Sequence, residues 1–341
     1  MRSIRILLFP FAILYDVVTS IRNLFYDKGI FKSEQFDIPV IAVGNLSVGG
    51  TGKTPQVEYL IRLLQENKKV AVLSRGYKRK TNGFVLIDEE HNAEDVGDEP
   101  LQFFKKFPKI SVAVDANRVN GIQQLQKKVQ PDIILLDDAF QHRKVKAGFY
   151  VLLTKYGDLY SNDFILPAGN LRESRRGAKR ADVIVVTKCP PNISQSEQEK
   201  IEKKLRAQSN QHVFFSYIGY EENTKGVREI ALDELKNYEV LLITGIANPT
   251  PLLDFLEEKQ CNIQHLKFPD HHNFDSHEIK KIQAAFERIS SEKKILLTTE
   301  KDYMRLSGRI HGLHYIEITS KFLRNQEGFN SQIQQYCSTN S

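Results

Sequence analysis

The stretch Ser47-Val48-Gly49-Gly50-Thr51-Gly52-Lys53-Thr54 combines small residues that leave the backbone accessible with one fixed positive charge and one hydroxyl. Those residue types at that spacing make a phosphate loop. Loop N–H groups and the N-terminus of a following helix face an anion, Lys53 neutralises terminal phosphate oxygens, and the Thr54 hydroxyl ligates Mg²⁺. The general spacing asks for glycine where this chain has Ser47. An apolar run ahead of the loop and the helix-forming Gln56–Glu66 behind it supply the strand and helix that such a loop requires. The implied ligand is a nucleoside triphosphate, and ATP is favoured over GTP. Thr187-Lys188-Cys189-Pro190 lacks the acid of a guanine-reading tetrad, and in Thr299-Glu300-Lys301-Asp302 the lysine is displaced by one.

Other residues suit such a site. The apolar Ile133–Leu136 ends in Asp137-Asp138, and one of these acids is expected to hold the metal directly or through water. In Gly97-Asp98-Glu99-Pro100, Asp98 reads either as a helix N-cap or as a carboxylate that accepts a proton from an attacking hydroxyl. Asp270-His271-His272 pairs two histidines whose side chains must diverge, so one can work while the other packs; the ligands are too few for zinc. Leu171–Arg180 carries five positive charges. With Arg75 in Ser74–Lys80, this run reads as a solvated basic face or as a site for an anionic acceptor, Arg172 and Glu173 included. The same loops suit a membrane surface.

Continuous apolar runs alternate with helical patterns to position these residues. Strands are predicted at Val70–Ser74, Phe84–Ile87, Ile110–Val114, Ile133–Leu136, Tyr150–Leu153 and Val183–Thr187, with helices at Glu99–Lys106, Asn117–Lys128 and Ser196–Ala207. This is a P-loop NTPase-type α/β fold, a parallel sheet with helices on both faces. A second, smaller α/β pattern begins at Val240–Thr244. The expected organisation is an N-terminal helix to residue 28, a nucleotide domain over 29–212, a linker over 213–232 and a C-terminal lid domain over 233–341.

From Ile4 to Phe25 apolar residues recur at helical spacing in a wide, aromatic stripe flanked by Arg2, Arg5 and Arg22. The unbroken run Ile6–Tyr15 is short of the ~20 residues needed to cross a bilayer, and no small-residue cleavage site follows. A helix lying in an anionic membrane interface is the expectation. The net charge of +6 likewise favours an anionic partner, and no basic-aromatic module points to nucleic acid. Three scattered cysteines suggest neither disulfides nor zinc and fit a reducing cytosolic setting.

Taken in order, Ser47–Thr54, Asp98 in Gly-Asp-Glu-Pro, Asp137–His142, Leu171-Arg172-Glu173, Thr244–Pro249, Asp270-His271-His272 and Thr299–Asp302 resemble the tetraacyldisaccharide 4′-kinase family, the lipid A 4′-kinases of bacteria with an outer membrane. The resemblance covers about residues 1–305, and Ser47 is itself similar to the family pattern; Ala139-Phe140 departs from it slightly. It implies transfer of the ATP γ-phosphate to the 4′-hydroxyl of a tetraacylated glucosamine disaccharide 1-phosphate, with Mg²⁺ managed by Asp137 and Asp138. It also implies a membrane-seated N-terminal helix, a hinged smaller domain and a base assembly of Asp98 with His271. Arg172 and Glu173 would lie near acceptor or nucleotide. The rival reading is a membrane-associated P-loop ATPase that switches a protein partner.

Overall fold

The structure, a computed structural model, describes residues 5–270 and 272–339. A nine-stranded sheet forms the larger layer. Its strands are β1 (Val40–Asn45), β2 (Val70–Ser74), β3 (Val85–Leu86), β4 (Ser111–Val114), β5 (Ile133–Asp137), β6 (Phe149–Lys155), β7 (Val183–Thr187), β8 (His212–Tyr220) and β14 (Ile318–Phe322), in the order β14-β8-β7-β6-β1-β5-β2-β4-β3. All neighbours run parallel except β3 and β14 at the two edges. β1 sits between β5 and β6 with Val43 opposite Asp137, so the phosphate loop and the paired acids leave the sheet at the same edge.

Alternation along the buried strands divides the core between two faces. Ile41, Val43, Val70, Val72, Ile133 and Leu135 pack with Val57, Leu60 and Ile61 of helix α1 (Lys53–Leu64) and with Phe329 and Ile333 of the C-terminal helix Gln326–Thr339. Val40, Ala42, Leu73 and Leu136 pack on the other face against Ile122 and Leu125 of helix Arg118–Lys128. Each fully buried aliphatic side chain contributes about 1.5–3 kcal/mol.

A five-stranded sheet follows, ordered β11 (Asn262–Lys267), β10 (Glu239–Thr244), β12 (Lys294–Thr299), β13 (Leu313–Ile316) and β9 (Lys225–Gly226). The chain path differs from the expected linker and lid boundaries. His212–Tyr220 is a strand of the larger sheet, and β14 with the C-terminal helix returns to that sheet. The aromatic run reads as a transition in sequence, but Phe214 and Phe215 are core residues on opposite faces of β8. The strand Asn262–Lys267 is half polar because it lies at a sheet edge, and the sequence pattern did not distinguish it.

The N-terminal helix Phe9–Asp27 buries only Ala12 and Thr19. Leu7 is 77% exposed and Phe11 63%, and Ile13, Leu14, Val17, Val18 and Ile21 are exposed as well. Among the described residues no helix is long and apolar enough to cross a membrane.

The two sheets meet through a pair of short helices, α2 (Asp98–Lys106) and α3 (Glu300–Leu306), pinned by ion pairs at both ends. At one end, Lys106 Nζ lies 2.8 Å from Glu58 Oε2, 2.8 Å from Glu300 Oε2 and 3.9 Å from Glu317 Oε2, all largely shielded from water. Burial, with Glu58 beside it, pushes Glu300 up to about 8 from an ordinary 4.5. Glu300 therefore holds a proton in the folded chain at pH values where the unfolded chain has released it. Its contribution to stability is full below about 4.5 and declines as pH rises through about 8. Removing Lys106 would leave three carboxyl groups without their shared cation. Lys106→Met is expected to cost about 3–5 kcal/mol in urea unfolding at pH 7.5. The loss should be smaller at pH 5, well below the value near 8 at which Glu300 takes up its proton.

Candidate active site

The loop Leu46–Gly52 connects β1 to α1. Gly52 caps the helix in a left-handed conformation (φ 82°) that a side chain would strain, and Gly49 before it has φ 107°. No side chain caps α1, and Pro55 carries no N–H, so the first-turn amides of Lys53 and Thr54 are open to an anion. Ser47 stands where a glycine was expected, and it is buried. It bridges to Leu171, and its carbonyl accepts from Asn45 Nδ2 at 2.6 Å. Val48 N donates to Asn170 O and Arg172 N donates to Leu46 O, so the loop is stitched to residues 170–172. Thr51 is buried with its hydroxyl unpartnered.

Lys53 Nζ lies 3.7 Å from Asp138 Oδ1. Arg172 Nη1 donates to both oxygens of Asp138, at 2.9 and 3.1 Å. Burial alone would raise the Asp138 carboxyl, but Lys53 and Arg172 outweigh it and hold its pKa below the ordinary value. Asp137 differs. It is 2% exposed; one oxygen accepts from Ser74 Oγ at 3.0 Å, and the other, Oδ1, is buried without a partner. Burial, with Glu99 and Asp138 nearby, pushes Asp137 up to about 7. An orphaned carboxylate oxygen in a hard-oxygen set beside a phosphate loop fits Mg²⁺ well, because a cation there would favour the ionised form. The described residues contain no group of three or more His, Cys, Asp or Glu able to hold a metal unaided.

The structure corrects the N-cap reading of Asp98. Gly97 is the cap and Asp98 the first helical residue. Its carboxylate is taken by Arg305 of α3, whose Nε donates to Oδ1 at 2.9 Å and whose Nη2 donates to Oδ2. Arg305 is held in turn from the second sheet. Its Nη1 lies 3.8 Å from Asp302 Oδ1, and Gly245 N and Thr299 Oγ1 both donate to Asp302 Oδ2 at 2.8 Å. The motifs around Gly245 and Thr299–Asp302, distant in sequence, thus converge on Asp98. His271 lies outside the described residues. His272 packs against Phe268 and Phe274, with Nε2 2.9 Å from Glu278.

The family resemblance puts Glu173 near acceptor or nucleotide. The side chain is buried, and both oxygens are occupied: Oε1 accepts from Gln141 Nε2 and Arg180 Nη2, and Oε2 accepts from Asn23 Nδ2. It therefore organises the surrounding segment. Asn23 belongs to the N-terminal helix, as do Tyr15, whose hydroxyl donates to Arg172 O, and Arg22, which donates to Gln141 O. Arg75 is exposed at the end of β2, close enough for its charge to act on Arg118 and His142.

Sequence reasoning missed Arg118, Arg305 and Gln141. Arg118 is buried and donates to the carbonyls of Asp115 and Asp137. Its only sequence signal is that it follows the helix cap Asn117, a position with no chemical signature.

The profile of the tetraacyldisaccharide-1-P 4′-kinase family matches residues 4–338. The chain belongs to that family. It is similar to the Flavobacterium johnsoniae tetraacyldisaccharide 4′-kinase, 55% identical over 344 residues, with 100% of this chain and 99% of that one covered. The Bacteroides thetaiotaomicron tetraacyldisaccharide 4′-kinase is 42% identical, with 98% and 93% covered. Among solved structures, LpxK of this family from Aquifex aeolicus in complex with ATP aligns with a TM-score of 0.80 at 32% identity, covering 98% of this chain and 99% of that one.

Beside the acids, burial together with the charges of Arg118, Lys144 and Arg22 pushes His142 down to about 4, from an ordinary 6.5. The ring is neutral in the folded protein while an unfolded chain charges it below 6.5, so its contribution to stability is lost as pH falls from 6.5 through about 4. An NMR titration of His142 should show a midpoint near 4; a midpoint near 6.5 would mean that water reaches the ring freely.

Proposed function

We propose that this chain phosphorylates the 4′-hydroxyl of a tetraacylated glucosamine disaccharide 1-phosphate with ATP, at a membrane surface. The observation that carries the reading is a lysine at a helix start that no side chain caps, facing partly exposed Asp138 next to buried Asp137, with an apolar helix hydrogen-bonded to the Arg172-Glu173 segment that meets Asp138.

Ser47 through Thr54 would cradle the triphosphate, with Lys53 and the first-turn amides spreading charge over the transferred group. Thr54, Asp137 and Asp138 would hold Mg²⁺, which supplies further neutralisation of phosphate charge. Asp98 would accept the 4′-hydroxyl proton as the new O–P bond forms and the bond to the β,γ-bridging oxygen breaks. Its bidentate pair with Arg305 would hold the carboxylate in a fixed orientation for that role. The assignment of His271 as partner of the base rests on the family resemblance. Arg172, with Arg75 nearby, would meet acceptor phosphate, while Glu173 positions Arg172. The smaller sheet, tied to Asp98 through Arg305, would close over the nucleotide.

The acceptor explains the helix. Four acyl chains leave a bilayer only at great cost, since each buried CH₂ is worth about 0.8 kcal/mol. The exposed face of Phe9–Asp27 would lie in the interface. Phe164 packs edge-on to Phe9, and exposed Arg175, Arg176 and Lys179 would face anionic headgroups. On this reading the enzyme would sit peripherally on the cytoplasmic face of the inner membrane, where ATP is available.

Incubation with Mg²⁺, labelled ATP and detergent-dispersed acylated disaccharide should move label into the lipid; label found only as free phosphate would favour the switching ATPase. Asp98→Ala is expected to lower kcat roughly 10²–10⁴-fold with little change in KM. Near-native turnover would remove it from the base role. Phe11→Asp with Leu14→Asp removes about 1.5–3 kcal/mol of burial each, so binding to anionic vesicles should weaken roughly 10²-fold or more in co-sedimentation.

A further inference from the structure

Thr187-Lys188 ends β7, separated from β1 by β6 alone. The pair fails as part of a guanine tetrad because position 190 is proline, yet the fold brings it against the phosphate loop. Thr187 Oγ1 donates to Thr51 O at 2.7 Å, and its side chain lies 3.6 Å from where a Cβ on Gly52 would stand. The next residue turns into the left-handed region, Lys188 having φ 57°. A lysine pays roughly 1–2 kcal/mol for that conformation, and such residues persist where the surroundings demand them. The turn carries the ammonium inward: Nζ stands 3.7 Å from the Cβ position of Gly50, in the middle of the loop, although the residue as a whole is exposed.

We propose that Lys188 is a nucleotide-contacting residue, and that Thr187-Lys188 forms a second wall of the ATP site across the loop backbone from α1. The reading rests on residues 47–54 being the ATP loop. Three lysines converge there. Burial of the Lys188 ammonium, with the charges of Lys155 and Lys53, pushes its pKa below the ordinary lysine value. Lys53 has Asp138 as its counter-ion, whereas among the described residues Lys188 has no carboxylate partner. A solvated surface lysine would extend away from two like charges; this one is turned toward them, over open backbone amides. An anion at the loop relieves that repulsion, and the polyphosphate of ATP is the anion that the adjacent amides are built to take. Without an acid at position 190, the wall offers charge and no purine-reading group, so the contact is to the charged part of the nucleotide.

The test is steady-state kinetics with MgATP varied at saturating detergent-dispersed acceptor lipid, alongside ATP-dependent thermal shifts. Lys188→Ala is expected to raise the KM for ATP about tenfold, to shrink the ATP-induced shift and to leave the lipid KM and the ligand-free melting temperature unchanged. Lys188→Arg should recover most of the affinity. An unchanged ATP KM, or an equal rise in lipid KM, would overturn the assignment. Lys53→Ala, run in parallel, separates the two readings. If it retains full ATP turnover, the loop reading itself fails; if it loses turnover while Lys188→Ala binds ATP normally, only the Lys188 proposal fails.

Discussion

Two adjacent carboxylates at the end of a buried strand are stable only when positive charge faces them, and the rest of the site follows from how that charge is supplied. Lys53 reaches Asp138 from the helix behind the loop, Arg172 reaches it from a segment bridged to Ser47, and Arg118 holds the Asp137 carbonyl from beneath. Asp138 is thereby fixed as an anion, while Asp137 keeps one oxygen unsatisfied in the interior. An unsatisfied buried acceptor costs about 1–3 kcal/mol, a cost tolerated where a ligand later completes the coordination.

The same constraint reaches outward through hydrogen bonds. The segment supplying Arg172 is also the one that the N-terminal helix grips, through Tyr15 on Arg172 O, Asn23 on Glu173 and Arg22 on Gln141 O. An apolar helix exposed over most of its surface is attached to the body by polar contacts, and one of these, from Tyr15, lands on the backbone of Arg172, whose side chain faces Asp138. The membrane anchor and acceptor site proposed above would share this connection. On the opposite side, α2 joins Asp98 at its start and Lys106 at its end to α3, so the second sheet is read out at the carboxylate proposed as base.

Much of this was legible from residue order. Gly52-Lys53-Thr54 behind an apolar run, Asp137-Asp138 ending a continuous apolar strand and the aromatic stripe near the N-terminus each carry a local chemical signature. The strands Val70–Ser74 and Val183–Thr187 appear with the bounds that their apolar runs indicate. The C-terminal third did not read as cleanly. β14 and the last helix return to the first sheet, a choice made by the packing of Phe329 and Ile333 against α1 and not by any local preference.

What the sequence determined by itself is the chemistry on offer: which groups carry charge, which can bind phosphate, and that a parallel α/β sheet presents them. Tertiary structure decided their partners. Asp98 looks like a helix cap until Arg305, 207 positions away, takes its carboxylate; Glu173 looks like a surface acid until three donors enclose it. The physical reason is that helix capping and strand alternation are set by neighbours within a few residues. The state of a buried charge is set by whatever counter-charge the fold brings within a few ångströms, and that depends on sheet order and helix packing, which no short stretch of sequence encodes.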